Sequence, residues 1–161
     1  MPKAAPSQAD STWYIVDAKG RTLGRLATQI SHVLRGKHVV TFAPHLLGSD
    51  HVIVLNAAGI VLTGKKLEQK VYRRHTGYFG NMREIPVSRV LAKRPQEVIQ
   101  RAVKGMLPRN RLRERMMLHL HVFAESTHPH EAQKPKNLDT LFTAPRSSSK
   151  RSEVGSSSIS S

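Results

Sequence analysis

Hydrophobic positions change their spacing along the chain, and each change predicts an element. Trp13-Tyr14-Ile15-Val16 is an aromatic and β-branched run of the kind that forms a buried strand, and Asp17-Ala18-Lys19-Gly20 breaks it. Leu23, Leu26, Ala27, Ile30, Val33 and Leu34 then recur at helical spacing. Thr22 stands at the N-cap position and Gly36 just past the last apolar residue, so an amphipathic helix is predicted between them. Val39–Phe42 and His51–Leu55 read as further strands, and Gly59 separates the second from a short apolar strand, Ile60-Val61-Leu62-Thr63. Strand, helix and strand in this order form a βαβ unit, which implies a parallel sheet.

Beyond Tyr78-Phe79-Gly80-Asn81 the pattern turns helical. Pro86 or Ser88 opens a short helix that ends before Pro95, and Pro95–Lys104 carries Val98, Ile99, Ala102 and Val103, with Gly105 at the C′ position. Asn110–Leu118 predicts a further helix on Leu112, Met116 and Met117, and Leu120-His121-Val122-Phe123 returns to the sheet. The expected architecture is one three-layer α/β domain over 13–142. The flanks differ: Met1–Ser11 is rich in Ala, Pro and Ser, and nine of the fifteen residues of Ser147–Ser161 are serine. Extensions 1–12 and 143–161 are therefore expected to have no core to join and to be disordered unless RNA or another partner orders them.

A length of 161 residues allows one domain. No apolar run approaches the roughly 18–20 residues of a bilayer span, and Met1–Thr12 lacks a secretory hydrophobic stretch, so neither a spanning nor a secreted protein is expected. The absence of cysteine excludes disulfides, thiolate metal sites and cysteine nucleophiles. Charge changes the picture most. The 26 Lys+Arg and 11 Asp+Glu leave +15, which repels itself and points to a polyanionic partner, nucleic acid first. It is concentrated: Met1–Gly64 holds six cations and three acids, Lys65–Leu118 fifteen and four, His119–Ser161 five and four. The middle third is the expected binding face. No lipidation motif accompanies it, so a membrane surface is not expected as partner.

Motifs for catalysis fall short. Gly59–Lys66 fits seven positions of the phosphate loop G-x-x-x-x-G-K-[S/T], but Lys66 stands where a hydroxyl would hold magnesium, and the intervening residues read as a strand. Gly20 and Gly24 lack the close spacing of a dinucleotide fingerprint, although the helix start could accept a backbone phosphate. His119, His121, His128 and His130 form two imidazole pairs without a third convergent ligand, so surface or RNA-facing histidine is expected rather than zinc. No catalytic residue, metal, cofactor or small-molecule substrate is assigned.

Two constellations point to RNA. In the first, Lys65, Lys66, Lys70, Arg73 and Arg74 can neutralise phosphates while Tyr72 and His75 offer stacking faces; Tyr78 and Phe79 fit RNA or the core equally. In the second, Arg101, Lys104, Arg109, Arg111, Arg113 and Arg115 flank a Gly/Pro turn, and the alternating arginines after Pro108 would spread around one helix. Arg25, Arg35 and Lys37 are expected as phosphate contacts at the first helix. On charge alone, removing Arg73 and Arg74 together should flatten the salt dependence of RNA binding by up to about two phosphate-equivalents.

The residues Thr22-Leu23-Gly24-Arg25-Leu26-Ala27, Leu34-Arg35-Gly36-Lys37-His38, Leu62-Thr63-Gly64-Lys65-Lys66, Tyr72-Arg73-Arg74-His75-Thr76-Gly77-Tyr78, Val103-Lys104-Gly105-Met106-Leu107-Pro108 and His128-Pro129-His130 follow one another in an order that resembles the large-subunit ribosomal protein thirteen family, bacterial or organellar type. That resemblance implies a three-layer α/β/α fold on a four-stranded, mainly parallel sheet. It further implies a structural role in the large ribosomal subunit, binding to 23S-type rRNA beside neighbouring ribosomal proteins, early entry into assembly, and no catalysis. Phe79-Gly80-Asn81-Met82 departs from the family's usual Gly-Gly after the tyrosine. Bacterial cytoplasm, mitochondrion and plastid all remain open as the compartment, and a free regulatory RNA-binding module or a phosphate-loop nucleotidase are the competing readings.

Overall fold

The computed structural model describes residues 11–40 and 42–142; apart from Ser11 and Thr12, the terminal extensions lie outside the described residues. Strand β1 (Trp13–Asp17) and helix α1 (Leu23–Leu34) form where their spacing predicts them. Thr22 is the N-cap, and its contribution is backbone: its carbonyl accepts the Leu26 amide at 3.1 Å, while its hydroxyl makes no bond to the helix. At the other end Gly36 takes φ +74°, and the amides of Gly36 and Lys37 donate to the carbonyls of Val33 and His32 at 2.8 and 3.1 Å. This pair of bonds is a Schellman closure, whose left-handed residue glycine supplies without strain.

Strand β2 (His51–Leu55) runs parallel to β1, with Trp13 beside His51 and Asp17 beside Leu55. The chain comes back to the sheet much later as β5 (Leu120–Val122), parallel to β2, and as β6 (Lys136–Asn137), parallel to β1. The result is a four-stranded, wholly parallel sheet in the order β5-β2-β1-β6. Alternate side chains of a strand reach opposite faces. On one face Tyr14, Val16, Val52, Val54 and Leu120 share a core with Leu26, Ile30 and Val33 of α1, Val87 and Val90 of α3 (Val87–Lys93), Val98, Ile99 and Val103 of α4 (Pro95–Met106), and Met116 of α5 (Leu112–Leu118). On the other face Trp13, His51 and His121 are overlaid by His130. His130 leads directly into the 3-10 turn Glu131–Gln133.

The structure revises several local expectations. Val39, Val40 and Phe42 form no strand and stand exposed; the sheet's edge strands are β5 and β6, and neither takes this run as a partner. Ile60–Thr63 is no strand either; it contributes a single bridge, Val61 to Thr22. Gly105 lies inside α4, which is closed by Leu107. Helix α5 begins at Leu112, so Arg109 and Arg111 precede it and the expected ring of arginines on one helix does not form. The largest departure follows the short helix α2 (Lys66–Gln69): an antiparallel hairpin of β3 (Val71–His75) and β4 (Met82–Pro86), built where the pattern after Asn81 reads as helical. Its exposed positions carry no apolar alternation, which is why spacing alone misses it. Among the described residues no helix is long and apolar enough to cross a membrane.

Candidate nucleic-acid interface

Hairpin β3–β4 is a separate two-stranded sheet rooted in the domain at its base. There Tyr72 is half-buried against the core, and the Val87 amide donates to the Lys70 carbonyl at 2.9 Å. Burial pushes the Tyr72 hydroxyl above its ordinary pKa, so it is a neutral phenol. The guanidinium of Arg101 lies 4.4 Å from the centre of its ring and the ammonium of Lys70 5.6 Å, both within cation–π range. Arg101 also donates to Glu97 on the preceding turn of α4, at 2.6 and 3.1 Å.

The register assigns the two arginines of the expected Arg73-Arg74 pair to opposite sides. Arg73 faces Glu84 and donates to it through Nε at 2.7 Å; Arg74 faces Arg83. His75 turns its ring into the loop, its Nδ1 accepting the Gly77 amide at 3.0 Å. Beside the hairpin a cleft of about 670 Å³ opens between the first turn of α1, residues Val61–Thr63 and the end of α4. Arg25, Lys66, Lys70 and Arg101 all line it. Lys65 is exposed just before α2, and Lys104 is exposed on α4 one turn past Arg101, on the same side. Arg109, Arg111 and Arg115 are exposed around the turn into α5. Arg113 is half-buried there, and its Nε is buried without a partner.

Arg35 and Lys37 stand apart from this group, at the far end of α1, ten or more residues and therefore about 15 Å from Arg25. Arg35 lies 5.9 Å from the centre of the Phe42 ring. The ion pairs among the described residues are Arg21–Asp139, His38–Asp50, Arg73–Glu84 and Arg101–Glu97. Of the cations expected to meet RNA, Arg73 and Arg101 are thus the ones that a carboxylate already neutralises, and apart from Arg35 and Lys37 the cleft, the hairpin and the α4–α5 turn hold the others.

The histidines are placed differently from expectation. They lie on the covered face of the sheet: His51 stacks on Trp13 at 4.2 Å, while His119 lies tilted against His51 at 4.4 Å and His130 tilted against His121 at 4.8 Å. Burial, helped by the neighbouring imidazoles, brings the His51 pKa from 6.5 to about 4 and lowers that of His121. His51 and His121 are neutral packing groups near pH 7, and among the described residues no three potential ligands converge as a metal site.

The family model for Ribosomal protein L13 matches residues 11–129, which takes in the sheet's first three strands, the cleft, the hairpin and both arginine-bearing segments. The chain belongs to this family. It is 57% identical over 136 residues to the large ribosomal subunit protein uL13 of Clostridioides difficile strain 630, covering 84% of this chain and 95% of that protein. It is 54% identical over 131 residues to the protein of that name from Chloroflexus aggregans, covering 81% and 92%, and 49% identical over 137 residues to that from Nitratidesulfovibrio vulgaris, covering 85% and 95%.

A member of the ribosomal protein L13 family is not an enzyme, and the geometry explains the phosphate-loop likeness away. The Val61 amide is spent on the Arg21 carbonyl at 2.9 Å and Lys66 opens a helix of four residues, so the segment does not wrap a phosphate in free amides. One cation of this L13-family surface, Arg83, escapes sequence reasoning, and Arg101, which belongs to the second constellation, joins the cleft only because α4 packs against α1. The charge excess of Lys65–Leu118 was the available signal for Arg83.

Proposed function

We propose that this chain is a structural constituent of a large ribosomal subunit, where it binds 23S-type rRNA, abuts neighbouring subunit proteins and enters early in assembly. The domain over 13–142 would carry the RNA-binding surface, with extensions 1–12 and 143–161 ordering on RNA or on neighbours. The observation that carries this reading is the run of cations from the cleft across the hairpin to the α4–α5 turn, in which, among the described residues, Arg73 and Arg101 alone meet a carboxylate. In a molecule of charge +15 such a run is stabilised by a polyanion of matching extent. Phosphate neutralisation sets the affinity, and the fixed spacing of hairpin, cleft and turn selects RNA segments of complementary shape.

Sedimentation of lysate containing the tagged full chain tests the assignment. Nearly all of the protein should travel with large subunits, and a substantial light fraction would favour a free regulatory RNA-binding module instead. Replacing Lys104, Arg109 and Arg111 by Ala should reduce the log–log salt slope of rRNA binding by somewhat under one per lost contact. An unchanged slope removes the α4–α5 turn from the interface.

A further inference from the structure

The antiparallel register sets Arg74 directly opposite Arg83, on the same face of the hairpin as the Tyr72–Ile85 pair. Facing residues have Cβ atoms roughly 4.5–5.5 Å apart, and like charges so placed destabilise a sheet. A lone two-stranded hairpin is already marginal in water, so this repulsion falls where the fold can least absorb it. Neither arginine has a carboxylate within 4.0 Å among the described residues, whereas on the opposite face Glu84 neutralises Arg73. The Arg74–Arg83 face also continues into the body of the domain, because Arg101 stands over Tyr72.

The tip has its own asymmetry. Tyr78-Phe79-Gly80-Asn81 is a tight turn: the Asn81 amide donates to the Tyr78 carbonyl at 3.2 Å, and Gly80 has φ +71° at the third position, which a type II turn demands. Phe79 is therefore held at the apex, 106% exposed, with Tyr78 at 77%. Two aromatic rings in water are costly to a free protein, and their nearest charged neighbours along the strands are cations. That combination fits the face of a nucleobase with phosphates alongside.

We infer, building on the reading that this chain binds RNA, that the β3–β4 hairpin grips looped RNA from one side: Arg74 and Arg83 hold a phosphate between them, and Phe79 with Tyr78 stacks on unpaired bases. A phosphate oxygen pair accepts from both guanidinium forks and converts their repulsion into attraction. The Arg73–Glu84 face is the back of the device.

Two fluorescein-labelled probes test this with the full chain: an oligouridylate, and a blunt RNA duplex with the same number of phosphates. The Tyr78→Ala/Phe79→Ala variant should bind the oligouridylate more weakly by about fivefold or more, with its salt slope and its duplex affinity unchanged. Arg74→Ala/Arg83→Ala should flatten the salt slope for both probes by about one phosphate-equivalent. Arg73→Ala/Glu84→Ala, which keeps the net charge, should leave both slopes as they are. Flattening by the Arg73/Glu84 variant equal to that of the Arg74/Arg83 variant overturns the one-sided grip, as does no flattening by the latter. A tip variant that binds both probes like the parent but no longer enters large subunits assigns the tip to a protein neighbour and overturns the stacking. If the parent chain itself binds neither probe, the RNA reading fails with it.

Discussion

Trp13 is the one tryptophan of the chain and lies on His51 with the ring planes 7° apart, so it reports on that imidazole. The native ring takes up its proton near pH 4 and the unfolded one near 6.5. Protons therefore favour the unfolded chain: the stability contributed by this stack is complete above pH 6.5 and is lost as the pH falls toward 4, amounting to about 1–3 kcal/mol after allowance for partial exposure. Protonated imidazole quenches indole, so the native fluorescence should show a fall near pH 4 that His51→Asn removes, His121 and His130 also lying against the indole. A fall near pH 4 that survives this substitution would show that His51 is not its source. A second residue-scale dependence sits at the end of α1, where a Cβ on Gly48 would lie 2.8 Å from the Leu34 carbonyl oxygen and 3.3 Å from the Gly36 nitrogen. Both atoms belong to backbone and cannot swing aside. Gly48→Ala should cost about 1–3 kcal/mol in denaturant titration, and a variant as stable as the parent would show that this loop is free to shift.

At the scale of elements, the sheet's least supported strand is β6, only two residues long. It is held by the Leu138 amide donating to the Ile15 carbonyl at 2.9 Å, and by Asp139, which accepts from both terminal nitrogens of Arg21. That bond keeps the Asp139 carboxyl below its usual pKa, so its contribution is present above about pH 4 and is lost on further acidification. Both groups are about a third exposed, which limits the pair to about 1 kcal/mol. Asp139→Asn should accordingly speed hydrogen exchange at Leu138 while leaving the β1–β2 amides protected, and equal protection in the two proteins would show that Arg21 does not hold the strand. Helix α1 was legible because six apolar residues repeat at one period. Strand β6 was not, because two residues carry no period at all.

For the whole molecule, the excess of positive charge makes two salt responses run in opposite directions. Salt screens the self-repulsion of the free protein over roughly 10 Å at 0.1 M, so the melting temperature of the isolated chain should rise between low and moderate salt. The same salt competes with phosphates and should weaken RNA binding. A melting temperature that falls as salt is raised would mean that attractive ion pairs, not unpaired cations, govern the surface. The location of the charge excess was legible from residue counts, since fifteen cations against four acids in Lys65–Leu118 need no structure to be noticed. The grouping of those cations was not.

Local order along the chain already specified β1, α1, β2, α4 and β5, because hydrophobic period, caps and breakers act between residues a few positions apart. It specified the basic middle third and the family motifs for the same reason: both are properties of composition and order. Which cation stands free is a different kind of fact. Arg73 and Arg74 are neighbours in sequence and equal in chemistry, yet a two-residue side-chain alternation sends one to Glu84 and the other to Arg83, eleven and nine positions away. Arg25, Lys66 and Arg101 share a cleft only through the packing of α1 against α4. Pairing across strands and helices depends on register and burial, which exist only once the chain has folded.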